Sequence, residues 1–129
     1  MTAAVGIVCK APRAGASKTR LSPLVGAELA MELSRCFITD IAATIEALPP
    51  DIASRGYAVF APADAEAEIR ALLPGSFGAI CQHHAAFGEV LSRANSALLA
   101  AGHDCVLLVN SDSPTLPSSM LIDAIGRLR

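Results

Sequence analysis

Four short apolar runs alternate with segments of helical period, and this alternation restricts the fold more than any other feature. "AVGIVCK" (4–10), "GYAVFAP" (56–62), "GAICQ" (78–82) and "DCVLLVNSD" (104–112) read as buried strands bounded by charges, Pro or Gly. After the first run, Leu29, Leu33, Phe37, Ile41, Ile45 and Leu48 recur every three or four residues, which predicts one apolar helical face. Ser22-Pro23 starts that helix and Pro49-Pro50 ends it. "ADAEAEIRALLPG", "FGEVLSRANSALLAAG" and "PSSMLIDAIGRLR" supply a helix after each later strand. Continuous apolar strands alternating with helices predict an α/β fold of three layers, a mostly parallel sheet with helices on both faces. Right-handed crossovers leave few strand orders, of which 3-2-1-4 is the commonest that fits. That order reverses between strands 1 and 4, and ligands of such sheets bind beyond the carboxyl ends of the strands at the reversal.

The loop leaving strand 1 at that point is unusual. "CKAPRAGASKTRL" (9–21) holds Lys10, Arg13, Lys18 and Arg20 and no acid; the first carboxylate of the chain is Glu28, and these are its only two lysines. The chain as a whole has a net charge of −2. The basic loop is therefore a local feature suited to a small anion, not part of a polyanion-binding surface. Aromatics are 4% of residues and Trp is absent, which disfavours a stacking platform for single-stranded nucleic acid. The loop is not a P-loop: Lys18-Thr19 fits the end of that motif, but Pro12 and Ser17 stand at its glycine positions, and a proline offers no N–H to a phosphate. Gly15 stands alone, so the dinucleotide fingerprint is missing too. What remains is a flexible glycine, two lysines that act as mobile point charges and two arginines that can fork onto paired oxygens.

The loop after strand 4, "NSDSPTLP", carries one carboxylate, Asp112, beside Ser111. Across the reversal point from a basic loop, a hard carboxylate suits a Mg²⁺ (or Mn²⁺) ion shared with phosphate oxygens, since Mg²⁺ takes one or two carboxylates and keeps waters. As a turn residue, Asp112 followed by Ser113-Pro114 is equally at home. His83-His84, Glu89 and His103 make a poorer metal set, because adjacent residues of an extended segment point opposite ways. Cys9, Cys36, Cys81 and Cys105 form no C-x-x-C and sit in or beside apolar segments, which predicts reduced thiols buried as small hydrophobes. No apolar run approaches the roughly 20 residues of a membrane span, and the N-terminal charges follow the apolar run instead of preceding it. A cytoplasmic protein is expected.

At these residues the chain resembles a family. "KAPRAGASKTRL" is similar to the K-x-P-x-x-G-x-x-K-T-R-L opening of bacterial GT-A-like glycosyltransferases, and "NSDSPTLP" resembles their S-D-x-P-x-L-P segment. "CFITDIAATI" and "FGEVL" resemble two helical segments between them, with Val90 where the family has an arginine. Pro114 stands at the second acidic position of the D-x-D common in glycosyltransferases of this fold. The resemblance implies a Rossmann-like, GT-A, nucleotide-diphospho-sugar transferase fold, related to the guanylyltransferases of molybdenum cofactor and phospholactate. It implies phosphate roles for Lys10, Lys18 and Arg20, a metal role for Asp112 and a role for Asp40.

Taken together, residues 1–129 are expected to form one nucleotide-binding domain, the N-terminal portion of a longer fold without its acceptor side. The expected function is a Mg²⁺-dependent transfer from a nucleoside triphosphate or nucleotide sugar. Lys10, Arg13, Gly15, Lys18, Thr19, Arg20 and Ser111 would hold phosphates and nucleotide, and no residue is assigned a catalytic proton transfer. The rival expectation is a non-catalytic nucleotide-binding or interaction module. Strand 4, left at a sheet edge, would pair two chains into a homodimer.

Overall fold

The computed structural model describes residues 1–83 and 86–129. Its four strands, β1 (Ala3–Lys10), β2 (Ser54–Ala61), β3 (Gly78–Cys81) and β4 (Cys105–Asn110), form one sheet in the order β3-β2-β1-β4. All three pairings are parallel, with Val5 opposite Gly56 on one side and Leu107 on the other. Both the predicted order and the predicted reversal are therefore present.

Among the described residues five α-helices accompany the sheet: α1 (Ser22–Val25), α2 (Ala27–Glu46), α3 (Glu66–Arg70), α4 (Phe87–Ala100) and α5 (Ser118–Leu128). Strand alternation sorts them into layers. Ala3, Val5, Ile7 and Cys9 face one way, with Ala58 and Phe60, and bury Ile38, Ile41 and Ile45 of α2, Ile69 of α3 and Leu121 and Ile125 of α5. Ala4, Tyr57 and Val59 face the other way, against Leu98, Val90 and Ala94 of α4. This division follows from crossover handedness. The chain steps from β1 to β2 to β3 in one direction and then returns past β1 to β4, which puts α4 on the opposite face.

The long predicted helix differs in two ways. Gly26, at φ +89°, breaks it into α1 and α2, a conformation glycine adopts without steric cost. The face turned to the sheet is Ala30, Ser34, Ile38, Ile41, Ala42 and Ile45, so Leu29, Leu33 and Phe37 lie off it and Leu29 is exposed. Small residues let α2 approach a strand that itself begins Ala3-Ala4. A similar closeness holds at Gly56, where a Cβ would stand 2.2 Å from the ring of Phe77.

Candidate phosphate and metal site

β1 and β4 end side by side, and their following loops wall a cavity of about 900 Å³, within the range of small-molecule sites. Lys10, the last residue of β1, is exposed at its rim. Lys18, Thr19 and Arg20 come from the basic loop, and Asn110, Ser111 and Asp112 from the end of β4. Three cations thus line the cavity against one carboxylate, in a chain whose net charge is negative.

The basic loop is folded upon itself. Ser17 is buried; its Oγ accepts the Arg13 N–H at 2.8 Å, and its own N–H donates to the Arg13 carbonyl at 3.0 Å. Gly15 (φ +82°) and Lys18 (φ +46°) take the two left-handed turns this path requires. Leu21 N–H closes the second turn on the Lys18 carbonyl at 2.8 Å, leading into α1.

Lys18 reaches across the reversal point. Its Nζ lies 2.6 Å from Asp112 Oδ1 and 4.2 Å from the centre of the Phe37 ring, and its side chain is only 10% exposed. Asp112 is held from below, its N–H donating to Asn110 Oδ1 at 2.9 Å, while its side chain is 73% exposed. Lys10 and Arg20, in contrast, take part in no ion pair among the described residues.

Two expected phosphate ligands lie elsewhere. Arg13 and Gly15 are outside the cavity lining. The Arg13 guanidinium turns to the start of α3, where Nε donates to Glu68 at 3.1 Å and Nη2 to Asp64 at 3.2 Å. These hydrogen bonds hold the Glu68 carboxyl below its usual range and raise the arginine further. Because β2 lies beside β1, the acid-rich segment after β2 stands within reach of the loop after β1. Asp40 is exposed on α2 and also lies outside the lining.

The cavity also holds residues that motif reasoning passed over. Gln82, just past β3, donates through Nε2 to the carbonyls of Val59 (2.8 Å) and Cys9 (3.1 Å), tying the carboxyl ends of three strands. Ser34 and Phe37 enter from α2, and Phe87 and Val90 from α4. In a parallel sheet every strand points its carboxyl end to one rim, so a polar residue directly after each apolar run was the available signal. Val90, in place of the arginine, is buried against Val59 and Ala94 and gives the cavity an apolar floor.

A divalent cation suits this oxygen set. Asp112 is an exposed hard carboxylate, and an ammonium already sits on its Oδ1. Among the described residues no three His, Cys, Asp or Glu side chains gather, and an ion held by Asp112 would have to complete its shell with phosphates and waters. His103 has a structural role. Its Nδ1 faces the Thr2 carbonyl at 3.1 Å and so carries the proton, which leaves Nε2 to accept the Tyr57 hydroxyl at 2.7 Å. His83 is exposed; the suggested pairing with His84 lies outside the described residues. Cys9 and Cys105 are buried as expected, and desolvation pushes the Cys9 thiol up to about 12, but Cys36 is exposed on the outer side of α2 and Cys81 is half-buried at the end of β3.

Residues 44–129 match a family described as an uncharacterized protein conserved in bacteria, DUF2064, and the chain belongs to that family. It is also similar to a crystal structure from Desulfovibrio desulfuricans G20 that is provisionally assigned as a nucleotide-diphospho-sugar transferase. The two share 28% identity over 96% of this chain, with a TM-score of 0.84. The fold is thus of the nucleotide-diphospho-sugar transferase type. The match takes in 53% of the other protein, so this chain spans about half its length. A comparison with curated proteins finds no match. Among the described residues no helix is long and apolar enough to cross a membrane.

Proposed function

We propose that this chain binds the diphosphate of a nucleoside triphosphate or nucleotide sugar together with Mg²⁺ (or Mn²⁺), and that it serves glycosyl or nucleotidyl transfer. The observation that carries the reading is the convergence of Lys10, Lys18 and Arg20 with Asp112 in one cavity at the sheet's reversal point. Such a site neutralises phosphate charge with fixed cations, and little else is asked of a protein that transfers from a diphosphate. Lys10 and Arg20 meet the phosphates directly, Ser111 and Thr19 offer hydroxyls, and Asp112 holds the metal. When bound, the ion supplies Lewis-acid stabilisation of charge on the departing phosphate.

The half-length match to the transferase-like structure supports a division of labour, in which this domain carries the donor and acceptor-binding elements lie outside these residues. The free cysteines suit a cytoplasmic setting. The unpaired outer edge of β4, with Val106 to Val109 half-buried, suits association of two copies along that strand. Isothermal titration with nucleotide sugars and triphosphates, with and without Mg²⁺, tests the binding. A turnover assay on the same mixtures separates a transferase from a module that binds without reacting. Absence of heat with every nucleotide in Mg²⁺ would sink the reading.

A further inference from the structure

The 2.6 Å ion pair between Lys18 and Asp112 joins two groups that the reading above assigns to opposite partners, one to phosphate and one to metal. Neither group is loosely placed. The Lys18 backbone is fixed by its left-handed turn, and its carbonyl accepts the N–H groups of Leu21 at 2.8 Å and Ser22 at 3.2 Å. Its ammonium rests 4.2 Å from the Phe37 ring centre, close enough for the ring face to hold a cation. An ammonium has three N–H donors, so the one on Asp112 leaves others for a second anion.

This arrangement has opposite consequences for each partner arriving alone. A metal ion reaching Asp112 meets a carboxylate that already carries a cation on Oδ1. A phosphate reaching Lys18 meets an ammonium that already has its anion. Each therefore binds against the existing pair. Arriving together, they exchange it: the phosphate takes Lys18, the metal takes Asp112, and one ion pair becomes two without leaving a charge uncompensated. Lys10 and Arg20, with no acidic partner among the described residues, account for whatever phosphate affinity remains without metal.

We infer that Lys18 and Asp112 form an exchangeable pair, so that the cavity takes a metal–diphosphate as a unit and binds either component alone weakly. Phe37 is a positioning residue that keeps the ammonium within reach of both states. Both halves of this inference, phosphate on Lys18 and metal on Asp112, rest on the proposed function. Coupling of this kind is reciprocal, so the metal tightens diphosphate by the same factor as the reverse.

The experiment uses the whole 129-residue chain with Mn²⁺, counted as free ion by electron paramagnetic resonance, and inorganic pyrophosphate, followed by calorimetry. Lys18→Met is expected to bind Mn²⁺ alone about tenfold more tightly than the wild type, a shift within the usual span of coupling factors. Adding Asp112→Asn to that variant should remove the gain. Saturating Mn²⁺ should tighten pyrophosphate on the wild type by about tenfold, and by less on Phe37→Leu and on Lys18→Met, where only direct contact between metal and phosphate couples the two. Lys18→Gln, with circular dichroism on every variant, guards against a misfolded Lys18→Met. Equal or weaker Mn²⁺ binding by folded Lys18 variants would overturn the exchangeable pair. If Mn²⁺ tightens as expected but no form binds pyrophosphate, the coupling falls along with the nucleotide reading, and Asp112 remains a cation site only.

Discussion

The two ends of the sheet treat charge in opposite ways. At the end where the strands begin, Arg129 reaches back from α5 to Asp104 at 2.8 Å and also donates to the Ile52 and Ala53 carbonyls. His103 links Tyr57 to Thr2 beside it, and Asp104 N–H donates to the Thr2 carbonyl at 3.1 Å. There Arg129, Asp104, His103 and Tyr57 have found partners within the chain. At the end where the strands finish, Lys10 and Arg20 have found none among the described residues, and Lys18 has only an exposed carboxylate. The surplus at this rim is what a multiply charged anion would complete.

Substitutions at the two ends should therefore separate stability from affinity. The largest effect belongs to the beginning of the sheet. Gly56→Val would drive a side chain into the Phe77 ring, and denaturant unfolding should show a loss of about 3 kcal/mol, the upper range for overpacking. A loss below 1 kcal/mol would mean that Phe77 can move aside. Next come Lys18→Ala and Arg20→Ala, each expected to weaken binding of a metal–nucleotide by about 2 kcal/mol, the scale of a hydrogen bond to a charged group. Titration reads it, and unchanged affinity in both would erase the contrast between the rims. Asp112→Asn should abolish the gain that Mg²⁺ gives to nucleotide binding while the unfolding midpoint stays in place. A surviving Mg²⁺ gain would return Asp112 to the status of a turn residue.

The smallest effects sharpen the comparison. Arg13→Ala should leave nucleotide affinity unchanged, because its guanidinium is spent on Asp64 and Glu68; weakened affinity would mean that Arg13 turns toward the cavity when ligand binds. Acid should loosen the beginning of the sheet. Asp104 lies below its ordinary value because Arg129 donates to it, so its contribution is present above the unfolded value of 3.8 and is lost as pH falls through the depressed one. Wild type should therefore lose its stability advantage over Arg129→Ala below that value, and an advantage independent of pH would remove the pair's role.

How far the sequence disclosed this depended on which forces acted locally. The parallel sheet was legible because uninterrupted runs such as "CVLLVN" suit a sheet covered by helices on both faces, and its strand order because right-handed crossovers leave few alternatives. The convergence of Lys10, Lys18, Arg20 and Asp112 on one cavity was legible because topology alone brings the ends of β1 and β4 together. The pairing of Arg13 away from the cavity was not legible, because its partners, Asp64 and Glu68, lie more than fifty positions away and enter through a strand pairing that local composition does not reveal. The second half of the expected α2 face, Ile41, Ile45 and Leu48, is buried, whereas its first half was read one position off for a different reason. Leu29, Leu33 and Phe37 outweigh Ala30, Ser34 and Ile38 in hydrophobicity, yet close packing on β1 favours the smaller set. Phe37, freed from the core, is the residue that supports Lys18. Gln82 carries no motif, and its part appears only once three strand ends share a rim.

Ser17, the buried hydroxyl within the basic loop, has a bearing on speed. A mobile loop of this length would have to be ordered at each binding event, at roughly 1–2 kcal/mol per residue in backbone entropy. With the Arg13 N–H on Ser17 Oγ and the Ser17 N–H on the Arg13 carbonyl, the loop is ordered when the domain folds. Capture of an anion then requires no closing lid. It should proceed at a rate set by diffusion and by the field of the cations, and should slow smoothly as added salt screens that field.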